Sequence, residues 1–81
     1  MFFETGRTKG IDATQADRIQ RILDRLSVAT AIKELNIPTF FLHELKGKRK
    51  GTWAITVVKN WRITFRFENG EAYDVDLEDY H

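Results

Sequence analysis

The sequence predicts an α+β domain, with helices from the first half packed on one face of an antiparallel sheet of about four strands. Three observations lead there. Apolar residues recur every three or four positions before Pro38 and every second position after Phe40. An Asn-Gly pair at 69–70 sits between two strand-like runs, the strongest short-range signal for a hairpin. With 81 residues and 42% hydrophobic content, the chain suits one core and not two, so a single domain over 1–81 is expected.

Asp12 is positioned to cap the first helix, with Gln15 three residues on completing a capping-box pattern. Ala16, Ile19, Ile22, Leu23 and Leu26 form its apolar stripe, and Asp17, Arg18, Arg21, Asp24 and Arg25 take the other faces, giving a helix over 13–28. Thr30 is placed to cap a short second helix through Leu35. Asn36 and Pro38 then mark the crossing into strands. The segments Phe40–Leu45, Trp53–Val58, Trp61–Phe67 and Ala72–Leu77 are rich in aromatic and β-branched residues and bounded by turn residues. Lys59-Asn60 reads as a second tight turn. On a two-residue turn there, Trp61, Ile63, Phe65 and Phe67 share the helix-facing side with Ala54, Thr56 and Val58. Arg62, Thr64 and Arg66 then fall opposite, beside Trp53, Ile55 and Val57, unless a one-residue bulge swaps the assignment.

The chain has no cysteine, which excludes disulfides and thiolate metal sites and fits a reducing compartment. No apolar run is long enough to span a membrane, and Met1-Phe2-Phe3-Glu4 lacks the features of a signal peptide, so a soluble cytoplasmic protein is expected. Net charge is only +1, but its distribution is uneven. Residues 43–66 carry Lys46, Lys48, Arg49, Lys50, Lys59, Arg62 and Arg66 against Glu44, a net of +6. Residues 67–81 carry six carboxylates and no cation, a net of −6. A basic middle beside an acidic end points to a polyanion as one candidate partner.

The run HELKGKRKG (43–51) places four cations within five positions, with glycines that let a phosphate backbone approach the main chain. As a solvated loop between strands it would be unremarkable. Arg62 and Arg66 on a nearby strand strengthen the phosphate reading. His43 beside this loop and His81 at the end of the chain carry little meaning singly. Their spacing does not suit a metal, and none is expected. The aromatics at strand period read as core before they read as base-stacking platforms.

Taken together, LHELKGKRKGTWAITVVKNWRITFRFENGEAYDVDLEDYH (42–81) resembles the HigB toxins, a branch of the RelE/ParE superfamily of type II toxin–antitoxin modules. The shared pattern is L-H-x-L-K-G-x-R-x-G-x-W, then N-W-R-I-T-F-x-F, then N-G-x-A-Y and a terminal E-D-Y-H. The helical half is similar as well. The resemblance implies a RelE-like fold and a ribosome-dependent endoribonuclease that cuts translated mRNA in the 30S A site without a cofactor. It implies a HigA-like helix-turn-helix antitoxin as partner, with operator DNA reached only through that antitoxin. It places catalysis on His43, Arg62, Asp79, Tyr80 and His81, with Lys46, Lys48, Arg49, Lys50 and Arg66 gripping RNA. His43 and His81 would divide acid and base work, and Asp79 would orient one imidazole or act as base. Two departures stand out: the chain starts at Met1-Phe2-Phe3 where a strand is expected before the F-x-x-G segment, so either the start is shortened or that strand is absent, and Lys48 stands where a carboxylate often precedes the arginine. ParE-like relatives inhibit DNA gyrase without cutting RNA, and an inactive toxin that still binds its antitoxin is a third possibility.

Overall fold

The computed structural model describes residues 13–58 and 60–79; Asp12, Lys59, Tyr80 and His81 lie outside them. Helix α1 spans Ala13–Val28. Ile19, Ile22, Leu23 and Leu26 are buried along one side, as the apolar period requires, whereas Ala16, one turn earlier, is exposed. The expected second helix is a single 3-10 turn over Ile32–Leu35 that buries Leu35. Thr30 is tied to it from outside: its N–H and its hydroxyl meet the two carboxylate oxygens of Glu34 at 3.0 and 3.1 Å.

The first strand is much shorter than the sequence suggests. Pro38 opens another 3-10 turn, Pro38–Phe40, in which the Phe40 N–H donates to the Ile37 carbonyl at 2.8 Å. Phe41 follows in the left-handed region, φ 52°. Only His43–Glu44 remains to pair as β1. Proline's fixed φ favours a first helical turn, and that preference overrides the strand propensity of the two phenylalanines. Strands β2 (Thr52–Val58), β3 (Trp61–Glu68) and β4 (Glu71–Asp79) complete an antiparallel sheet in the order β1-β2-β3-β4. Glu68 pairs with Glu71 across Asn69 and Gly70, both at positive φ, as the Asn-Gly signal predicts.

The assignment of β3 to its faces holds, as does that of Val58, whereas the rest of β2 is reversed. Val58 pairs with Trp61, but Thr56 pairs with Arg62, so Val57 is one residue more than the partner strand matches. Beyond this bulge Ile55 stands opposite Ile63 and Trp53 opposite Phe65, on the helix-facing side. Thr56, Ala54 and Thr52 join Arg62, Thr64 and Arg66 on the other. The bulge is held from the helix. Arg18 donates from Nε to the Val57 carbonyl at 2.7 Å and from Nη2 to the Thr56 carbonyl at 2.9 Å. It also bonds the Thr39 carbonyl, and its guanidinium lies 5.9 Å from the Phe40 ring centroid. Arg18, read from the sequence as a solvent-facing residue, is thus half-buried and structural.

A second irregularity lies in β4. Asp74 sits at φ 52°, and the register slips between Thr64–Asp76 and Arg66–Tyr73. Tyr73 therefore shares a face with Arg66, while Val75 and Leu77 pack toward the helix. The core between α1 and the sheet comprises the α1 stripe with Ala29, Leu35, Phe40, Ile55, Val57, Ile63, Phe65 and Leu77.

Candidate functional site

The face of the sheet away from α1 carries most of the described candidate residues. Its floor is small: Ala54 and Thr64 are buried to within 2% exposure, and Thr52 to 9%. Small floor residues leave room above them for long side chains from the flanking rows. Three rows cross the strands. His43 pairs with Ala54, which pairs with Thr64 and so with Asp76. Thr56, Arg62 and Glu78 form the next row, and Thr52, Arg66 and Tyr73 the third. His43 and Arg62 thus stand on one face, about 10 Å apart across two strand spacings and one row apart along the strands.

His43 is exposed on β1. Its Nδ1 lies 3.0 Å from the Phe41 carbonyl oxygen. A carbonyl only accepts, so Nδ1 carries the hydrogen, and the neutral ring keeps its lone pair on Nε2. The left-handed turn at Phe41 is what brings that carbonyl beside the ring two residues later.

The basic run folds as a closed loop. Leu45 N–H donates to the Thr52 carbonyl at 2.8 Å, and the Glu44 carboxylate accepts the Gly51 N–H at 2.9 Å. Between them, Gly47–Arg49 make one 3-10 turn, entered with Gly47 at φ 68°. Lys46, Lys48 and Lys50 are exposed on this loop. Arg49 instead reaches across the face to β4, where its Nη1 and Nη2 grip Glu78 Oε1 and Oε2 at 2.9 and 2.6 Å. Arg62 Nη2 donates to Glu78 Oε1 at 3.2 Å, and the Thr64 hydroxyl to Oε2 at 3.1 Å. The Arg49 hydrogen bonds, opposed by burial and helped by Thr64 and Arg62, pull the Glu78 carboxyl down to about 2. The same pairing pushes the Arg49 guanidinium further above its ordinary value. Arg66 donates from Nε to the Tyr73 hydroxyl at 3.3 Å, which in turn donates to the Glu68 carboxylate at 2.9 Å.

The fold therefore gathers His43, Arg49, Arg62 and Arg66 on one face and hangs the three lysines at its rim. Asp79 pairs with Trp61, at the parity opposite to Arg62 and Glu78. Tyr80 and His81 lie outside the described residues. Glu78 was missed by sequence reasoning, which counted it only as one of the six carboxylates of the acidic end. Its alternation with Leu77, facing a basic β3, was the available signal. Among the described residues no group of three or more His, Asp or Glu side chains could hold a metal ion. No helix among them is long and apolar enough to cross a membrane.

A family model described as the RelE-like toxin of the type II toxin–antitoxin system HigB matches residues 1–81. The Endoribonuclease HigB of Proteus vulgaris is 52% identical over 81 residues, spanning all of this chain and 88% of that protein. With a family match along the whole chain and a helix packed on an antiparallel sheet that presents a basic face, the protein belongs to the HigB-like family of RelE-like toxins of type II toxin–antitoxin systems.

Proposed function

We propose that the protein is a ribosome-dependent endoribonuclease that cleaves translated mRNA in the A site, acting in the cytoplasm under the control of a HigA-like helix-turn-helix antitoxin. The observation that carries this reading is the placement of His43, with the Nε2 lone pair left by its bond to Phe41, on the same face as Arg62. The 52% identity to a protein named as an endoribonuclease supports it.

RNA supplies its own nucleophile, the 2′-hydroxyl. Cleavage needs a base for that proton, cations around the phosphate and an acid for the departing 5′-oxygen. His43 and His81 share the two proton transfers, and Asp79 orients one imidazole. Arg62 and Lys46 stabilise the charge growing on the phosphate. Tyr80 positions a nucleotide, while Lys48, Arg49, Lys50 and Arg66 hold the RNA backbone. The 2′-oxygen bonds to phosphorus as the bond to the 5′-oxygen breaks, leaving a 2′,3′-cyclic phosphate and a free 5′-hydroxyl. No metal takes part.

Primer extension on a translated mRNA, with and without ribosomes, tests the reading. The wild type cuts only translated message, and His43→Ala loses roughly 10²–10⁴-fold in rate, the usual worth of a proton-transfer group. Cutting of naked RNA would remove ribosome dependence, and a 3′-hydroxyl product would refute the proposed chemistry.

A further inference from the structure

We propose that Glu78 is a positioning residue for RNA cleavage, joining the guanidinium groups of Arg49 and Arg62 into one phosphate-receiving pair. The inference rests on the nuclease reading and adds to it a residue that acts through the two arginines.

Each carboxylate oxygen accepts two hydrogen bonds: Oε1 from Arg49 Nη1 and Arg62 Nη2, Oε2 from Arg49 Nη2 and the Thr64 hydroxyl. A carboxylate offers about four lone-pair sites, and here four donors occupy them. Such a group is held ionised and has no lone pair to lend a substrate proton, which removes it from base catalysis. What it does instead is mechanical. Arg62 and Thr64 stand on β3, a central strand, whereas Arg49 stands on a loop bracketed by Gly47 and Gly51 at φ 68° and 97°. The Arg49 side chain is 45% exposed. A long cation on a glycine-flanked loop samples many rotamers unless something fixes it. The fork-to-carboxylate pairing is the geometry that fixes a guanidinium in plane and direction. It engages two of the five guanidinium donors of Arg49 and leaves its outer edge for a phosphate. Two guanidiniums and one carboxylate leave a net charge of +1, which matches one phosphodiester.

The test is ribosome-programmed mRNA cleavage, with kcat and KM measured separately for wild type, Glu78→Gln, Arg49→Met and the double variant. Glutamine keeps the size of Glu78 but turns an NH2 group toward a guanidinium, so Arg49 is released while the site loses no positive charge. We expect kcat to fall roughly 10–100-fold for Glu78→Gln, with KM within about threefold of wild type, the signature of an interaction used mainly in the transition state. Arg49→Met, at an exposed loop position, gives a fall in kcat even if the Glu78 variant fails to fold. Because both changes cut one link, the double variant loses no more than the worse single. A Glu78→Gln kcat within twofold of wild type, or losses that multiply in the double variant, overturns the proposal. Absence of cleavage by the wild type refutes the nuclease reading and this inference together. Cleavage by the wild type with Glu78→Gln unimpaired refutes this inference alone.

Discussion

Replacing Arg18 by methionine keeps the apolar stem and removes the polar ties that Arg18 makes between helix α1 and the β2 bulge. Two guanidinium bonds, to the Val57 and Thr56 carbonyls at 2.7 and 2.9 Å, are part-buried. The third, to Thr39, is exposed, and water replaces it at little cost. Hydrogen bonds to a charged group contribute about 1.5–3 kcal/mol each when the partner cannot be rehydrated. Stacking over Phe40 adds roughly 0.5–1 kcal/mol. Partial entry of water at a half-buried position trims the sum, so a loss of about 2–4 kcal/mol is expected. In a domain of this size each kcal/mol moves the melting midpoint by roughly 4–8 °C, which gives a drop of about 8–32 °C. Thermal unfolding followed by circular dichroism measures it. Arg18→Lys, whose single ammonium cannot reach both carbonyls in the same plane, should fall between the two. A midpoint within about 3 °C of wild type for Arg18→Met would show that the bulge stands without the helix, and the reasoning would fail.

Four further outcomes are expected. The Glu78 carboxyl, at about 2 in the fold against an ordinary 4.5, binds fewer protons folded than unfolded; its stabilisation is complete above pH 4.5 and is lost as pH falls toward 2. With the Glu78 side chain 21% and Arg49 45% exposed, screening limits this to about 1–2 kcal/mol, so the melting gap between wild type and Glu78→Gln should close over that window. Gly70→Ala meets both a φ of +76° and the Thr30 carbonyl oxygen at 3.3 Å, and urea titration should show a loss of about 1–2 kcal/mol. Phe41→Asn relieves a left-handed, 66% exposed phenylalanine while keeping the carbonyl that holds His43; a gain of about 0.5–1 kcal/mol with cleavage retained is expected. Removal of His81 should reduce cleavage by roughly 10²-fold or more while the melting midpoint barely moves.

Local signals carried the elements whose causes are local. The α1 stripe and the Asn69-Gly70 turn were legible because helical period and positive φ are written within a few neighbouring residues. The faces of β2 were not. The bulge at Val57 is held by a guanidinium 39 positions earlier that donates to two carbonyls, and no pattern within the strand records it. The short β1 follows from Pro38, whose consequence for Phe40 and Phe41 was masked by their strand propensity. In the site, Arg62 and Arg66 were recognisable as cations on one parity. Their partners were not, because pairing β3 with β4 through a slip at Asp74 separates Tyr73 from Val75 and leaves Glu78, rather than Leu77, beside Arg62.

The pairing of β3 with β4 also lays the basic middle of the chain against its acidic end. Opposite charges that are consecutive blocks in sequence become neighbours a strand apart, so their fields largely cancel beyond a Debye length. What survives at long range is the fringe of lysines on the 46–50 loop. Adhesion to bulk nucleic acid, which grows with the number of phosphates neutralised, should accordingly be weak and shallow in its dependence on ionic strength. Selection of one polyanion among many would then fall to contacts made at short range rather than to the overall field.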